Sequence, residues 1–108
     1  MSRETWIATP LDAEGPLSLG EICRACGLQA DYVIDMVQVG VVEPIEGRHP
    51  ADWRFHPHAI VRVRRALRLR RDLAVDLGGA ALVLDLIEEV RELRQRVRVL
   101  EGDPLQRG

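Results

Sequence analysis

The chain has 108 residues, 46% of them apolar, and a formal net charge of -2. This length favours one small domain with a single core, and the acidic balance argues against a generally basic nucleic-acid-binding protein. No apolar run approaches the roughly 18–20 residues that span a bilayer, so we expect a cytoplasmic protein without membrane association.

Charge is unevenly distributed along the chain. All strongly basic side chains are arginines, because the sequence contains no lysine. Residues 1–47 are acidic, residues 48–71 are basic and residues 72–108 are acidic again. Six arginines fall between Arg62 and Arg71. This segment is therefore either an anion-binding surface or the solvated side of a helix.

The first elements are defined by turn and capping residues. Residues 1–16 contain Pro10, Gly15 and Pro16, which is typical of an N-terminal arm or a short edge strand. "SLGE" predicts a capping box at Ser18 for a helix that ends at Gly27. A second helix is predicted over residues 30–39, with Gly40 as its C-terminal stop. Two short helices joined by a turn indicate a helix-turn-helix.

Two long helices follow a short β region. "VVEP" and "DWRF" are apolar segments separated by turn residues, which predicts a small hairpin or wing. A third helix is predicted from near His58 to Leu77, with a break at Gly78-Gly79. The last helix covers residues 80–101, and we expect residues 102–108 to form a frayed tail.

The order of these parts resembles the MerR-type winged helix over roughly residues 17–100. "LGEICRACGLQADYVIDMVQVGVVEP" stands where those proteins have the helix-turn-helix, and "DWRFHPHAI" stands where the wing leads into the third helix. The resemblance implies a mainly α fold with a small β wing and a long C-terminal helix. Residues 17–79 would form the winged-helix domain, and residues 80–101 a dimerisation or packing helix.

A second resemblance lies in "RALRLRRDLAVDLGG", residues 65–79, which is similar to the chaperone modulators of the CbpM type. As a family, these small MerR-like proteins bind the J-domain of a DnaJ-like or CbpA-like co-chaperone and inhibit it. The resemblance therefore implies a protein-binding regulator. The alternative is a MerR-like DNA-binding transcriptional regulator that uses the arginine-rich helix and the wing.

The exposed face of the second helix favours a protein partner over DNA. A spacing of 100° per residue places Val33, Met36 and Val37 on the inner face. The outer face then carries Asp31, Ile34, Asp35 and Gln38. Because these carboxylates would repel phosphates, we expect DNA binding to be unlikely. J-domains, as a family, have a strongly basic second helix, which an acidic face would complement; the alternative is that the acids only solvate the surface.

The arginine-rich helix has an apolar and a charged face. Its predicted apolar face comprises Ile60, Val63, Ala66, Leu67, Leu73, Ala74 and Leu77. The arginines predicted to point outward are Arg62, Arg64, Arg65, Arg68 and Arg71. An i,i+4 pair between Arg68 and Asp72 is expected, and Asp72 and Asp76 beside Arg68 form a secondary candidate for partner binding. Arg70 falls within the apolar stripe, so its stem should pack inward and its guanidinium should meet a carboxylate or a carbonyl.

Metal binding, cofactor binding and catalysis have little support in the sequence. Cys23 and Cys26 form a C-x-x-C motif, but both lie on the apolar face of the first helix and no second cysteine pair exists. The other candidate ligands are His49, His56 and His58. We therefore expect core thiols, no metal and no cofactor. No catalytic motif is evident, so we do not expect an enzyme.

The last helix has the pattern of an assembly helix. Its seam consists of Val83, Leu86, Val90, Leu93, Val97 and Leu100, a 3-4-3-4-3 spacing that is typical of coiled coils. MerR-like proteins dimerise through such a helix, so a homodimer is predicted. The alternative is a helix folded back on its own chain.

Overall fold

In a computed structural model, the structure of residues 15–102 can be described. The elements, in chain order, are β1 (Leu17–Ser18), α1 (Leu19–Cys26), α2 (Ala30–Val39), a 3-10 turn (Pro50–Asp52), β2 (Arg54–Phe55), α3 (Ala59–Leu73) and α4 (Leu77–Glu101). The predicted arm lies outside the described residues except for its last two positions, and the predicted tail except for its first.

The helix-turn-helix begins and ends as predicted. The Ser18 hydroxyl accepts a hydrogen bond from the Glu21 amide at 3.1 Å, and the Glu21 carboxylate accepts one from the Ser18 amide at 2.8 Å. Gly27 and Gly40 end α1 and α2 in the left-handed conformation, with φ of 69° and 93°. The capping box and the two glycine stops are therefore confirmed.

The predicted pairing of "VVEP" with "DWRF" is wrong. Strand β2 pairs antiparallel with β1, with Leu17 opposite Phe55. Val41 and Val42 are both buried in the core, so this segment lacks the alternation of a strand with one exposed face. The wing is instead a loop closed by an isolated bridge between Glu46 and Arg54.

The core forms where the four helices and the small sheet meet. α3 packs against α1 and α4, while α2 packs against α1 and α4. The largest fully buried side chains of the core are Phe55, Ile22, Met36, Val33, Val41 and Val63. The mainly α winged-helix fold class is confirmed. None of the helices between residues 15 and 102 is long and apolar enough to cross a membrane.

The break between the two long helices lies four residues earlier than predicted. α3 ends at Leu73, and Ala74 follows in the left-handed conformation with φ of 56°. Asp76 is the N-cap of α4, and its carboxylate accepts a hydrogen bond from the Gly79 amide at 2.7 Å. The glycines therefore lie in the first turn of α4. Backbone amides in a first turn have no acceptor within the helix, so a capping side chain such as that of Asp76 accepts their hydrogen bond. Leu73 is 55% exposed, so its predicted core position is also wrong.

Contrary to the prediction, Arg62 of α3 does not point outward. It contacts the segment that follows α2 and helix α4. Its side chain is only 15% exposed. Its Nε donates to the Val41 carbonyl oxygen at 2.5 Å, and its Nη2 contacts the Gly40 carbonyl oxygen at 3.4 Å and Asp85 of α4 at 3.3 Å. Glu88 accepts a further hydrogen bond from the same guanidinium. Arg62 thus joins the end of α2 to α4.

Replacing Arg62 by methionine should lower the free energy of unfolding by about 1–2 kcal/mol, because charge-assisted bonds to two carbonyls and two carboxylates disappear. The matched control is Arg68→Met, an exposed position on the same helix, for which a change within about 0.5 kcal/mol is expected. Urea denaturation followed by circular dichroism measures both values. Equal stability of the two variants would contradict a structural role for Arg62.

Candidate functional site

The outer face of α2 is an acidic surface with an apolar centre. Asp31, Asp35 and Gln38 are exposed, and Ile34 is half-buried between them. On the opposite side of α2, Val33 and Met36 are completely buried and anchor the helix to the core. Within residues 15–102, no hydrogen bond or ion pair engages these four outer side chains. The predicted candidate residues therefore share one solvent-facing surface, which we call the α2 face.

Arg70 and Tyr32 connect α2 to the segment between α3 and α4. The guanidinium of Arg70 donates to the Tyr32 hydroxyl at 2.5 Å and to the Val75 carbonyl oxygen at 3.2 Å. The prediction of a carbonyl partner for Arg70 is confirmed, although the residue as a whole is exposed. Tyr32 lies in the first turn of α2, next to the buried Val33, and its sequence position was the one local signal for this contact.

The residues of the secondary candidate have other roles in the structure. The predicted pair between Arg68 and Asp72 is wrong, since Asp72 instead accepts from the neighbouring Arg71 at 3.1 Å. Asp76 caps α4, so its carboxylate is already engaged. Arg68 is exposed and forms no hydrogen bond or ion pair with Asp72 or Asp76. Asp72 and Asp76 are thus each engaged by a hydrogen bond, and their role in partner binding stays a secondary prediction.

Cys23 and Cys26 are half-buried thiols packed against the core rather than fully buried ones. Burial raises the pKa of both thiols, and the guanidinium of Arg64 opposes that effect at Cys26. A raised pKa leaves less thiolate at neutral pH, and thiolate is both the nucleophile and the metal ligand. The environment therefore favours inert thiols.

Native thiol labelling should accordingly be slower than labelling of the urea-unfolded chain at the same pH. A chelator should leave the melting temperature unchanged, because no zinc contributes to folding in this account. Stoichiometric zinc in the purified protein, or labelling as fast in the folded as in the unfolded protein, would contradict the assignment.

The three histidines do not assemble a metal site in the described part of the chain. No group of three or more cysteine, histidine or acidic side chains there is arranged to hold a metal ion. His56 and His58 line a broad cleft of about 720 Å³ between the end of α2, the start of α3 and α4. Nδ1 of His56 accepts a hydrogen bond from the His58 amide at 2.9 Å, which shapes the turn into α3.

Helix α4 extends beyond the core and exposes its apolar seam. Val83 is half-buried, and every residue from Asp85 to Glu101 is exposed. The exposed fractions of Leu86, Val90, Leu93 and Val97 lie between 44% and 50%. No part of residues 15–102 therefore covers the seam.

Comparison with known proteins agrees with the fold. The family described as MerR HTH family regulatory protein matches residues 17–102. The chaperone modulatory protein CbpM of Pseudomonas entomophila (strain L48) is 39% identical over 85 residues, which cover 79% of this chain and 83% of that protein. CbpM of Citrobacter koseri (strain ATCC BAA-895 / CDC 4225-83 / SGSC4696) is 42% identical over 83 residues, or 77% of this chain and 81% of the relative.

A more distant relative extends the match along the chain. CbpM of Coxiella burnetii (strain Dugway 5J108-111) is 34% identical over 91 residues, which cover 84% of this chain and 85% of that protein. These relatives are named as chaperone modulators, which supports a regulatory role in a chaperone system. The chain belongs to the MerR helix-turn-helix family and, within it, to the chaperone modulatory proteins of the CbpM type.

Proposed function

We propose that this protein binds the J-domain of a DnaJ-like co-chaperone and inhibits its co-chaperone activity, with the α2 face as the contact surface. The observation that carries the proposal is the composition of that face. Asp31 and Asp35 are exposed and have no cationic partner within residues 15–102, and Ile34 lies between them. A basic helix of the partner would pair with the carboxylates and cover the isoleucine.

Charge and apolar contact have separate effects in this arrangement. Opposite charges on two surfaces speed association and make it sensitive to salt, whereas binding energy concentrates at desolvated contacts near the centre. Ile34 supplies such a centre on α2. The position that a DNA-reading helix would use therefore suits a basic protein surface better than a polyanion.

An ATP hydrolysis assay tests the inhibition directly. The protein is added in increasing amounts to Hsp70 with and without the J-domain co-chaperone. We expect a loss of the stimulated hydrolysis that saturates at stoichiometric protein, while the basal hydrolysis by Hsp70 stays constant. Unchanged stimulation at saturating protein would overturn the proposed inhibition. A cytoplasmic location is part of the same proposal.

The same proposal includes a homodimer formed through the α4 seam. The exposed seam residues are contiguous along more than two turns of a helix that leaves the core. Monomeric proteins rarely expose so continuous an apolar stripe, and a twin helix would cover it by knobs-into-holes packing.

DNA binding is the second candidate function, favoured by the membership of the helix-turn-helix family. We expect duplex DNA to bind only weakly at physiological salt, because α2 presents carboxylates where phosphates or bases would lie. An electrophoretic mobility assay near 150 mM salt measures this. Tight, sequence-selective retardation of a promoter fragment would favour DNA binding instead.

A further inference from the structure

Two exposed surfaces of opposite charge exist on this protein, and the basic one lies between α3 and α4. Four of the six arginines of α3 donate hydrogen bonds to named partners. Arg65 and Arg68 of α3 and Arg91 of α4 form no hydrogen bond or ion pair with any described residue. These three arginines line one cleft of about 190 Å³, which we call the basic cleft.

The basic cleft has an apolar lining beneath its arginines. Leu84 is buried at 3% exposure, and Leu69 and Ile87 are partly exposed beside it. The one carboxylate in the lining belongs to Glu88. It accepts a hydrogen bond from Arg62, which lies outside the cleft. The cleft therefore combines uncompensated positive charge with apolar surface that a partner can bury.

We propose that the basic cleft is a docking site for an acidic protein segment in which carboxylates flank an aliphatic or aromatic side chain. Guanidinium groups pair with carboxylates through charge-assisted hydrogen bonds, and the apolar lining would take the side chain between them. The cleft has room for about one side chain. This site is separate from the α2 face and does not depend on the J-domain proposal.

A nucleic-acid strand fits these features less well. The lining contains no aromatic side chain on which a base would stack, and a sugar-phosphate backbone has no apolar group that would cover Leu84 or Ile87. Three guanidinium groups around one small apolar cleft match a short acidic segment better than a continuous polyanion.

Fluorescence anisotropy with a synthetic probe tests the proposal. The probe is a fluorescein-labelled peptide with glutamates on both sides of one leucine, compared with the same peptide carrying glutamines in place of the glutamates. We expect the acidic peptide to bind the full-length protein, and the triple variant R65Q/R68Q/R91Q to weaken this binding at least about tenfold. The glutamine peptide should bind the wild-type protein at least about tenfold more weakly than the acidic one.

The matched control is R24Q/R48Q/R94Q, which removes the same charge from three exposed arginines outside the cleft. Its affinity for the acidic peptide should change less than about threefold. Circular dichroism verifies that both variants fold. Equal losses in both variants, or equal binding of the two peptides, would overturn the proposal.

Two further measurements separate other occupants. Sedimentation of R65Q/R68Q/R91Q should give the same oligomeric state as the wild-type protein. A smaller oligomer would assign the cleft to contacts between copies of this chain and overturn the proposal. A labelled single-stranded oligonucleotide should bind more weakly than the acidic peptide. Tighter binding of the oligonucleotide, lost in R65Q/R68Q/R91Q, would overturn the choice of a protein segment.

Discussion

The double variant V90E/L93E should be monomeric at concentrations at which the wild-type protein is dimeric. Both side chains belong to the exposed seam of α4, at 44% and 50% exposure in the single chain. A twin helix would bury them, so glutamates at these positions would place four carboxylates in an apolar interface. We expect the dissociation constant of the dimer to rise at least about 100-fold, or about 3 kcal/mol. Sedimentation velocity or light scattering measures the change.

The matched control is Q95E/V99E, which adds the same charge to the same helix away from the seam. Val99 is 66% exposed, and the helical repeat places it opposite the seam. This variant should remain dimeric and should have the helical content of the wild type. If the wild-type protein is already monomeric at tens of micromolar, the seam is not a dimer interface.

The charge-reversal variant D31R/D35R should weaken binding to the J-domain by about 2 kcal/mol or more, because close interfacial charge pairs would become repulsive contacts. Both residues lie on the solvent-facing side of α2. Asp31 is in the first helical turn, where a carboxylate interacts favourably with the helix dipole, so its loss costs only a few tenths of a kcal/mol in stability. Calorimetric titration measures the affinity.

The control for this variant is E43R/D52R, which makes the same change in net charge at two exposed positions outside the α2 face, one between α2 and the wing and one in the wing. Its affinity should stay within about threefold of the wild type, because general attraction between charged surfaces is a smaller effect than contact pairs. An unchanged affinity of D31R/D35R would exclude the α2 face, and a loss confined to E43R/D52R would move the site to the wing or to the segment that precedes it.

Local signals predicted the helix-turn-helix well. Ser18 and Glu21 define the capping box with their own side chains, and Gly40 supplies the left-handed stop of α2. The inner positions Val33 and Met36 follow from the helical repeat alone. For the same reason the sequence predicted which residues form the α2 face, since it is the opposite side of a helix with known bounds.

Longer-range features could not be obtained from local patterns. The partner of β2 is β1, which lies far away in sequence, and strand pairing of this kind depends on the tertiary fold. The break between α3 and α4 was placed at Gly78-Gly79 because glycine commonly ends helices, whereas the Asp76 cap determines the start of α4. The helical repeat alone predicts an exposed Arg62, because its partners lie in the segment after α2 and in α4, both far away in sequence.

Calorimetric titration of the wild-type protein with a purified J-domain decides whether this protein recognises a J-domain through opposite charge. We expect saturable binding with one J-domain per chain. The affinity should fall several-fold between about 50 and 300 mM salt, because screening weakens charge pairs at an exposed surface. No saturable binding at about 50 mM salt with both proteins at tens of micromolar would contradict the account.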